Sequence, residues 1–253
     1  MSIEACAELV ERGDPDRFLS AMTALPDERG GLMVLYAFNL EVARAPWVTK
    51  EAMIAEMRLQ WWADAIEEIY TGGDIRRHEV VTPLAALIVD KGLDRAAFDA
   101  LIEARRWDVY KEPHKDQTAF DRYISDTSAG LMWLAAQALG ADTDQRSAIM
   151  DYGFGAGVAA LFQAIPALEN MQKYPLVDGT EKGVVDLAKL ALSRMDTPDI
   201  SKPARAALRA GWMAKPILSQ AVDAPALVAV NGLGTSEFYK KIRLFYLSFL
   251  NRY

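Results

Sequence analysis

The chain has 253 residues and a formal net charge of −7, from 28 Lys and Arg against 35 Asp and Glu. This acidic balance argues against a nucleic-acid-binding protein, which needs a basic face to neutralise phosphates. The single cysteine excludes an intrachain disulfide and a multi-cysteine zinc site, and two histidines leave little for histidine-based metal chemistry. Any chemistry would therefore have to use carboxylates.

The N-terminal residues 1–11 contain three glutamates and no lysine or arginine. This composition differs from that of a secretory signal, which starts with positive charge, and from that of an arginine-rich transit peptide. The most apolar stretch, 153–168, is too short to cross a bilayer about 30 Å thick, and it contains Gln163 and Pro166. We therefore expect a cytoplasmic protein.

Apolar residues recur at spacings of three and four along most of the chain, a pattern typical of amphipathic helices. Asp14-Pro15 and Pro26-Asp27-Glu28 mark helix starts, because Asp caps a helix and Pro fits its first turn. Pro46 ends the second of these helices. A new one starts after Thr49 and ends at Gly72, with an apolar stripe of Met53, Met57, Trp61, Ile66 and Ile69.

The rest of the chain is predicted to be helical as well, over 82–91, 94–111, 117–140, 142–170, 181–195, 201–222 and 235–252. No convincing strand, long linker or internal repeat interrupts this pattern. We therefore predict one all-α domain over residues 1–253, since a chain of this length can share a single core.

Three acids on the Trp61 helix are the clearest candidates for chemistry. Asp64, Glu67 and Glu68 share one helical face and are able in principle to hold Mg²⁺ and, through it, a diphosphate. The simpler interpretation is a solvated face, with Trp61 and Ile66 turned to the core. A second acidic pair, Asp121 and Asp126, is spaced too poorly to share a face.

The remaining motifs favour structural interpretations. Gly153-Phe-Gly155-Ala-Gly157 follows no strand and lacks the third glycine of a dinucleotide-binding loop, so it predicts close helix packing. His78 and His114 lie in polar segments and are expected on the surface. Cys6, near a terminus expected to be flexible, is interpreted as an incidental thiol.

Four stretches together resemble the squalene/phytoene synthase family over about residues 14 to 178. They are Met33–Asn39, Met57–Tyr70, Phe120–Leu134 and Gly153–Leu176. The resemblance implies an all-α bundle around a central cavity, with Tyr36, Phe38, Arg58, Trp61 and Tyr123 as candidate lining residues. Active members condense two prenyl diphosphates, which they hold through Mg²⁺ on two Asp-rich motifs.

The first of these motifs is degenerate in this chain. The family pattern Cys-Arg-x-x-Asp-Asp-x-x-Asp falls on residues 39–47, which begin with Asn39, Leu40 and Glu41. Its three aspartate places fall on Ala43, Arg44 and Trp47. Glu41 is the one acid, at a different place, and Arg44 puts a cation where the family holds its metal.

The second motif has lost its ligands too. The pattern Gln-x-x-Asn-x-x-Arg-Asp falls on Gly157, Ala160, Gln163 and Ala164, none of which is charged. Phe38-Asn39-Leu40-Glu41 and the segment from Gly157 to Pro166 match one branch of the family, similar to a mitochondrial assembly factor of respiratory complex I. The resemblance therefore implies a non-catalytic member without a metal.

The C-terminal segment combines apolar and basic residues. Phe238, Tyr239, Ile242, Phe245, Tyr246, Phe249 and Tyr253 interleave with Lys240, Lys241, Arg243 and Arg252. Such a helix suits an anionic membrane surface or a partner helix. It suits equally a closing helix that packs its apolar stripe on its own bundle.

Three hypotheses follow. The first is an assembly or scaffold protein for a respiratory complex, peripheral at the inner membrane face. The second is a lipid- or isoprenoid-binding protein, whose cavity becomes apolar when its carboxylates are lost. The third is an active Mg²⁺-dependent prenyl transferase that uses the displaced acids Glu41, Asp64, Glu67 and Glu68.

Overall fold

The computed structural model describes residues 3–196 and 200–253, and the regular structure of these ranges is entirely helical. This confirms the all-α class, whereas the predicted single domain over 1–253 also extends over residues outside the described ranges. The α-helices are α1 Ile3–Gly13, α2 Pro15–Ala21, α3 Pro26–Arg44, α4 Ala52–Thr71, α5 Val81–Lys91, α6 Arg95–Ala104, α7 Gln117–Ile124, α8 Gly130–Ala138, α9 Arg146–Asn170, α10 Glu181–Arg194, α11 Arg205–Leu208, α12 Ala214–Asp223 and α13 Glu237–Phe249.

The early helix boundaries follow the predicted capping residues. The Asp14 carboxylate accepts a hydrogen bond from the backbone N–H of Arg17 (3.0 Å), and Pro15 fills the first turn of α2. Helix α3 ends at Arg44, just before Pro46, which cannot continue a helix. Helix α4 ends at Gly72, whose φ of 72° is the left-handed conformation that glycine adopts without strain.

Three of the long predicted helices are interrupted. The 94–111 segment gives way to a 3₁₀ turn over 105–109, and the 201–222 segment breaks between α11 and α12. The 117–140 helix widens into a π-helical segment over 125–129, where α9 packs against it. Packing between distant segments, rather than the local pattern, sets these interruptions.

Helix α1 and its cysteine differ from the predicted flexible terminus. The Cys6 side chain is fully buried, and its thiol faces the carbonyl oxygen of Glu79 at 3.6 Å. Burial raises the pKa of this thiol to about 11. The terminus is therefore packed helix, and Cys6 belongs to the core.

The predicted apolar stripe of α4 is wrong at its start. Met53 and Met57 are 75% and 66% exposed, whereas Leu59, Ile66 and Ile69 are buried. The buried residues recur at three and four from Ala55 onward, which places the two methionines on the opposite face of the helix.

Helix α9 runs through the centre of the bundle, and its glycines permit close contact with the π-helical segment. A Cβ at Gly153 would lie 2.7 Å from the Cα of Ala129, and one at Gly157 would lie 2.6 Å from the Cβ of Ser128. These contacts support the predicted packing role of the glycines. The 143–170 segment is long and apolar enough to span a membrane, but 61% of its most apolar window is buried in the bundle, as in a core helix of a soluble protein.

Candidate functional site

A central cavity of about 240 Å³ lies between α3, α9 and the segments on either side of α7. Its wall has an apolar part and a polar part. The apolar part contains Ile124, Leu131, Leu161 and Leu168, and the polar part contains Arg17, Asn39, Arg105, Asp108 and Tyr123. The cavity is therefore not the purely apolar pocket that loss of the family carboxylates predicts.

A buried ion pair forms the polar part of this wall. The Asp108 carboxylate accepts from Arg105 Nη1 (3.0 Å) and from the Tyr123 hydroxyl (3.0 and 3.2 Å to its two oxygens). Asp108 is 4% exposed, and burial raises the pKa of Tyr123 above its ordinary value. The one carboxylate of this wall is thus engaged by a cation and a hydroxyl.

A buried lysine joins the segment after α9 to this cluster. Lys173 Nζ donates to the backbone carbonyl oxygens of Asp108 (2.6 Å) and Tyr110 (3.0 Å). It also lies 5.1 Å from the ring centres of both Trp47 and Trp107, within cation–π range. Burial lowers the pKa of this ammonium group. Lys173 therefore fixes the backbone that carries Asp108.

His114 is buried, contrary to the predicted surface position. Its ring stacks on Trp107 with ring centres 4.0 Å apart, and it also contacts Phe120 and Tyr123. Burial lowers the pKa of the imidazole to about 4. His78, in contrast, is half-buried and packs against the rings of Trp61 and Trp62.

The first-motif residues separate around the end of α3. Asn39 and Trp47 line the central cavity, and Trp47 is presented from the turn after the helix. Arg44 is exposed and pairs with Glu41 (3.5 Å), so it does not enter the cavity as a cation. Ala43 is half-buried on the same turn of the helix.

Two further residues of that motif lie away from the cavity. Leu40 packs against Gly13 of α1, and its Cδ1 atom would lie 3.0 Å from a Cβ added at that glycine. Glu41 lines a separate pocket of about 230 Å³ between α3 and α4, together with Arg58, Trp61 and His78. The helical turn between Asn39 and Glu41 accounts for this divergence, since residues two apart face different sides.

The second-motif residues remain near the cavity but carry no ligand. Gly157, Ala160 and Ala164 line it, whereas Gln163 is exposed and lines a separate pocket with Asp14 and Arg17. The two predicted motifs therefore meet at the cavity through Asn39, Trp47 and three small residues.

The five candidate lining residues lie in different parts of the structure. Tyr123 lines the central cavity, whereas Arg58 and Trp61 line the pocket between α3 and α4. Tyr36 and Phe38 are fully buried in the core, where Phe38 packs edge-on against Trp62. These four face other helices than those that enclose the cavity.

Each of the three candidate metal-binding acids on α4 is paired with arginine. Glu68 accepts two hydrogen bonds of 2.7 Å from Arg76, which lower the pKa of the carboxyl, and Asp64 lies 3.8 Å from the same guanidinium. Glu67 pairs with Arg95. Within residues 3–196 and 200–253, no group of three or more Asp, Glu, His or Cys side chains is arranged so that it could hold a metal ion.

These residues do not fit the Mg²⁺ that the family uses. Mg²⁺ prefers several oxygen ligands with near-octahedral geometry. Among the described residues that line the cavity, Asp108 carries the one carboxylate, and the guanidinium of Arg105 already pairs with it. Two residues that line the cavity, Asn39 and Arg105, each carry a buried atom without a hydrogen-bond partner, Asn39 Oδ1 and Arg105 Nε.

Sequence reasoning missed Arg105, Asp108 and Lys173. Asp108 follows Arg105-Arg106-Trp107 in a segment predicted to be plain helix, and Lys173 lies 65 residues away. The one sequence signal for this cluster was a charged residue next to a tryptophan, as Asp108 is next to Trp107. This signal is weak, because many such charged residues are simply solvated.

Comparisons with known proteins place this geometry in context. The family model described as squalene/phytoene synthase matches residues 10–176, about two thirds of the chain. Two solved structures share the fold. A dehydrosqualene synthase aligns with a TM-score of 0.78 at 13% identity, covering 99% of this chain and 97% of that one. A squalene synthase from Alicyclobacillus acidocaldarius aligns with a TM-score of 0.62 at 15% identity, covering 98% and 94%.

The proteins that are similar in sequence have a different name from the proteins that share the fold. The human protein named NADH dehydrogenase (ubiquinone) complex I, assembly factor 6 is 24% identical over 163 residues, covering 64% of this chain and 48% of its own length. Its homolog in Dictyostelium discoideum is 28% identical over 134 residues, covering 53% and 37%. The Drosophila melanogaster homolog is 26% identical over 178 residues, covering 68% and 53%. The matched region thus spans about half the length of these relatives or less.

Proposed function

This chain belongs to the squalene/phytoene synthase family, and we propose that it is a non-catalytic member that assists assembly of a respiratory membrane complex of the complex I type. One observation carries the proposal. The motif positions that line the cavity are Asn39, Trp47, Gly157, Ala160 and Ala164, and none of them carries a carboxylate. A family member that uses Mg²⁺ needs such carboxylates to hold its diphosphate.

The relatives supply the assembly part of the proposal. Proteins from animals and from Dictyostelium that match this chain are named complex I assembly factor 6 or its homolog. We propose the same role here, carried out in the cytoplasm at the inner face of the membrane.

The cavity supports a ligand as a further part of the proposal. Leu131, Leu161 and Leu168 form an apolar wall, and the other side of the cavity is lined by the polar residues Asn39, Arg105 and Tyr123. This combination suits an amphiphile such as a lipid or an isoprenoid. A volume of about 240 Å³ admits only its polar end or a short segment of its chain.

The assembly role is tested by deleting the gene and separating membrane complexes on native gels. We expect complex I to be lost or to accumulate as subcomplexes, and the wild-type gene to restore it. Restoration by a Trp47→Asp variant would be consistent with a role outside the cavity, whereas failure would implicate the cavity. Fully assembled complex I in the deletion strain would overturn the proposal.

The non-catalytic part has its own test. Purified protein is incubated with farnesyl or geranylgeranyl diphosphate and Mg²⁺, and released diphosphate is measured. We expect no release above the background of a heat-denatured sample. Turnover would instead support the alternative, an active prenyl transferase that uses Glu41, Asp64, Glu67 and Glu68 in an arrangement other than the one described above.

A further inference from the structure

The C-terminal helix α13 has an apolar outer face. Its buried side chains, Leu244 and Leu247, point towards the bundle. At 100° per residue, four other side chains lie within an arc of about 60° on the opposite side of the helix. They are 51–77% exposed, and they are Phe238, Ile242, Phe245 and Phe249. Of the alternatives that the sequence left open, packing of the whole apolar stripe on the bundle therefore does not hold.

Polar contacts hold the inner face instead. Lys240 Nζ bonds the Asp16 carboxylate (3.1 Å), and Arg243 Nε donates to the backbone carbonyl of Trp212 (2.7 Å). A surface helix ordinarily turns its charged residues to water and its apolar residues to the core. Helix α13 departs from this arrangement, since Lys240 and Arg243 face the bundle beside Leu244 and Leu247. Its second apolar face is left without a partner in the described chain.

The C-terminal residues that follow α13 are also held against the bundle. Buried Arg209 donates to the Asn251 side chain (3.2 Å) and to the backbone carbonyl of Arg252 (3.4 Å). The rings of Tyr152 and Tyr253 pack edge-on with centres 5.2 Å apart. Contacts at Lys240 and at Arg209 thus hold the helix in one orientation, with its outer face exposed.

The charge of this region differs from that of the rest of the protein. Residues 236–253 contain four basic residues and one acid, a net charge of +3, so the other 235 residues carry −10. Lys241 is exposed at one edge of the apolar face, and Arg252 is exposed beyond the end of α13. Tyr239 and Tyr246 flank it on the other side and are 44% and 55% exposed.

We propose that this outer face of α13 docks onto the surface of a membrane containing anionic lipid. The four apolar side chains enter the boundary between headgroups and acyl chains, and the flanking tyrosines and cations lie among the headgroups. The local positive charge complements anionic lipid, although the protein as a whole is acidic. This inference deepens the proposed function. It rests on that function only for the identity of the membrane to which α13 binds.

A protein partner fits this face less well. Specific protein interfaces carry about one hydrogen bond per 100–200 Å². The side chains of Phe238, Ile242, Phe245 and Phe249 have no hydrogen-bonding atom. A bilayer requires none, since its acyl region has no groups to pair with.

The test uses the purified full chain and sedimentation with lipid vesicles. One set contains phosphatidylcholine mixed with an equal amount of phosphatidylglycerol, and the other contains phosphatidylcholine alone. We expect binding to the mixed vesicles, weaker binding to the neutral ones, and a decrease at high salt. The double variant Phe245→Glu with Phe249→Glu should lower the partition coefficient at least about 100-fold, since each lost aromatic side chain accounts for roughly tenfold.

A matched control separates this face from general surface hydrophobicity. Val89→Glu with Val230→Glu makes the same charge change at positions that are 77% and 71% exposed, away from α13. This control should bind vesicles as the wild type does, and both double variants should keep the wild-type circular dichroism spectrum.

Two results would overturn the inference: no binding of the wild type to either vesicle, or an equal loss in the control. A dimer in solution that the α13 variant abolishes, without vesicle binding, would instead make a second copy the occupant. Vesicle binding by the pure protein is independent of complex I in cells. Normal complex I assembly after gene deletion would therefore overturn the proposed function and leave the lipid contact standing.

Discussion

Replacing Asp108 by asparagine tests whether the buried cluster holds the cavity together. The Asp108 side chain is 3% exposed and accepts hydrogen bonds from Arg105 and Tyr123. An amide of the same size keeps one acceptor oxygen but leaves the guanidinium buried without its counter-charge. Breaking a buried pair in this way costs about 3–5 kcal/mol.

The loss is measurable as a shift in thermal unfolding. For a chain of this length, each kcal/mol lowers the unfolding midpoint by roughly 2–4 °C, so we expect Asp108→Asn to lower it by about 6–20 °C. Differential scanning calorimetry gives the midpoint, and urea unfolding gives the free energy. The control Asp186→Asn removes an exposed carboxylate that pairs with Lys182, and it should leave the midpoint unchanged.

A double variant distinguishes loss of the pair from loss of packing. Asp108→Leu with Arg105→Met removes both charges, and replacing a buried pair by apolar residues is often close to neutral. We therefore expect the double variant to be more stable than Asp108→Leu alone, with a coupling energy of about 1 kcal/mol or more. An Asp108→Asn midpoint within 2 °C of the wild type would refute this account of the cluster.

Three other substitutions or measurements test neighbouring parts of the structure. Gly157→Ala should destabilise by about 1–3 kcal/mol in urea unfolding, because its Cβ would overlap Ser128, whereas Gly130→Ala, with 3.6 Å of clearance, should be neutral or stabilising. Folded His114 has a pKa of about 4 against 6.5 unfolded, so protonation favours the unfolded chain; stability should fall by about 2 kcal/mol between pH 7 and pH 5, and His114→Phe should remove that slope. Cys6 should react with a thiol reagent in the unfolded protein and resist it in the folded one, and rapid modification of the folded protein would contradict its burial.

The sequence predicts the helices best where local chemistry decides. Asp14, Pro26, Pro46 and Gly72 mark boundaries through capping, a fixed φ or a left-handed turn, and each effect depends on a few neighbouring residues. The π-helical segment over 125–129 has no such local signature. It arises where α9 approaches through its glycines, and that approach depends on the whole bundle.

The candidate site shows the same contrast between features set by neighbouring residues and features set by distant contacts. The family motifs fall at the end of α3 and the middle of α9, and Asn39, Trp47, Gly157, Ala160 and Ala164 from these segments line the cavity. The cluster of Arg105, Asp108 and Lys173 depends on contacts across as many as 65 residues, for which no spacing rule exists. The direction of the α13 stripe was equally undecided, since a periodic pattern identifies an apolar face without identifying what covers it.

Gly157 shows why the lost second motif is more than a missing ligand. The family pattern has glutamine at this place, but here a single added Cβ would lie 2.6 Å from Ser128 and 2.8 Å from Ile124. The backbone of α9 has thus taken the space that a ligand side chain would need. Restoring a polar residue would require α9 and the 125–129 segment to move apart, which would open their shared packing. In this chain, the place of the family's glutamine and the close packing of the two segments therefore coincide, and a glutamine at Gly157 would fit only if the two segments moved apart.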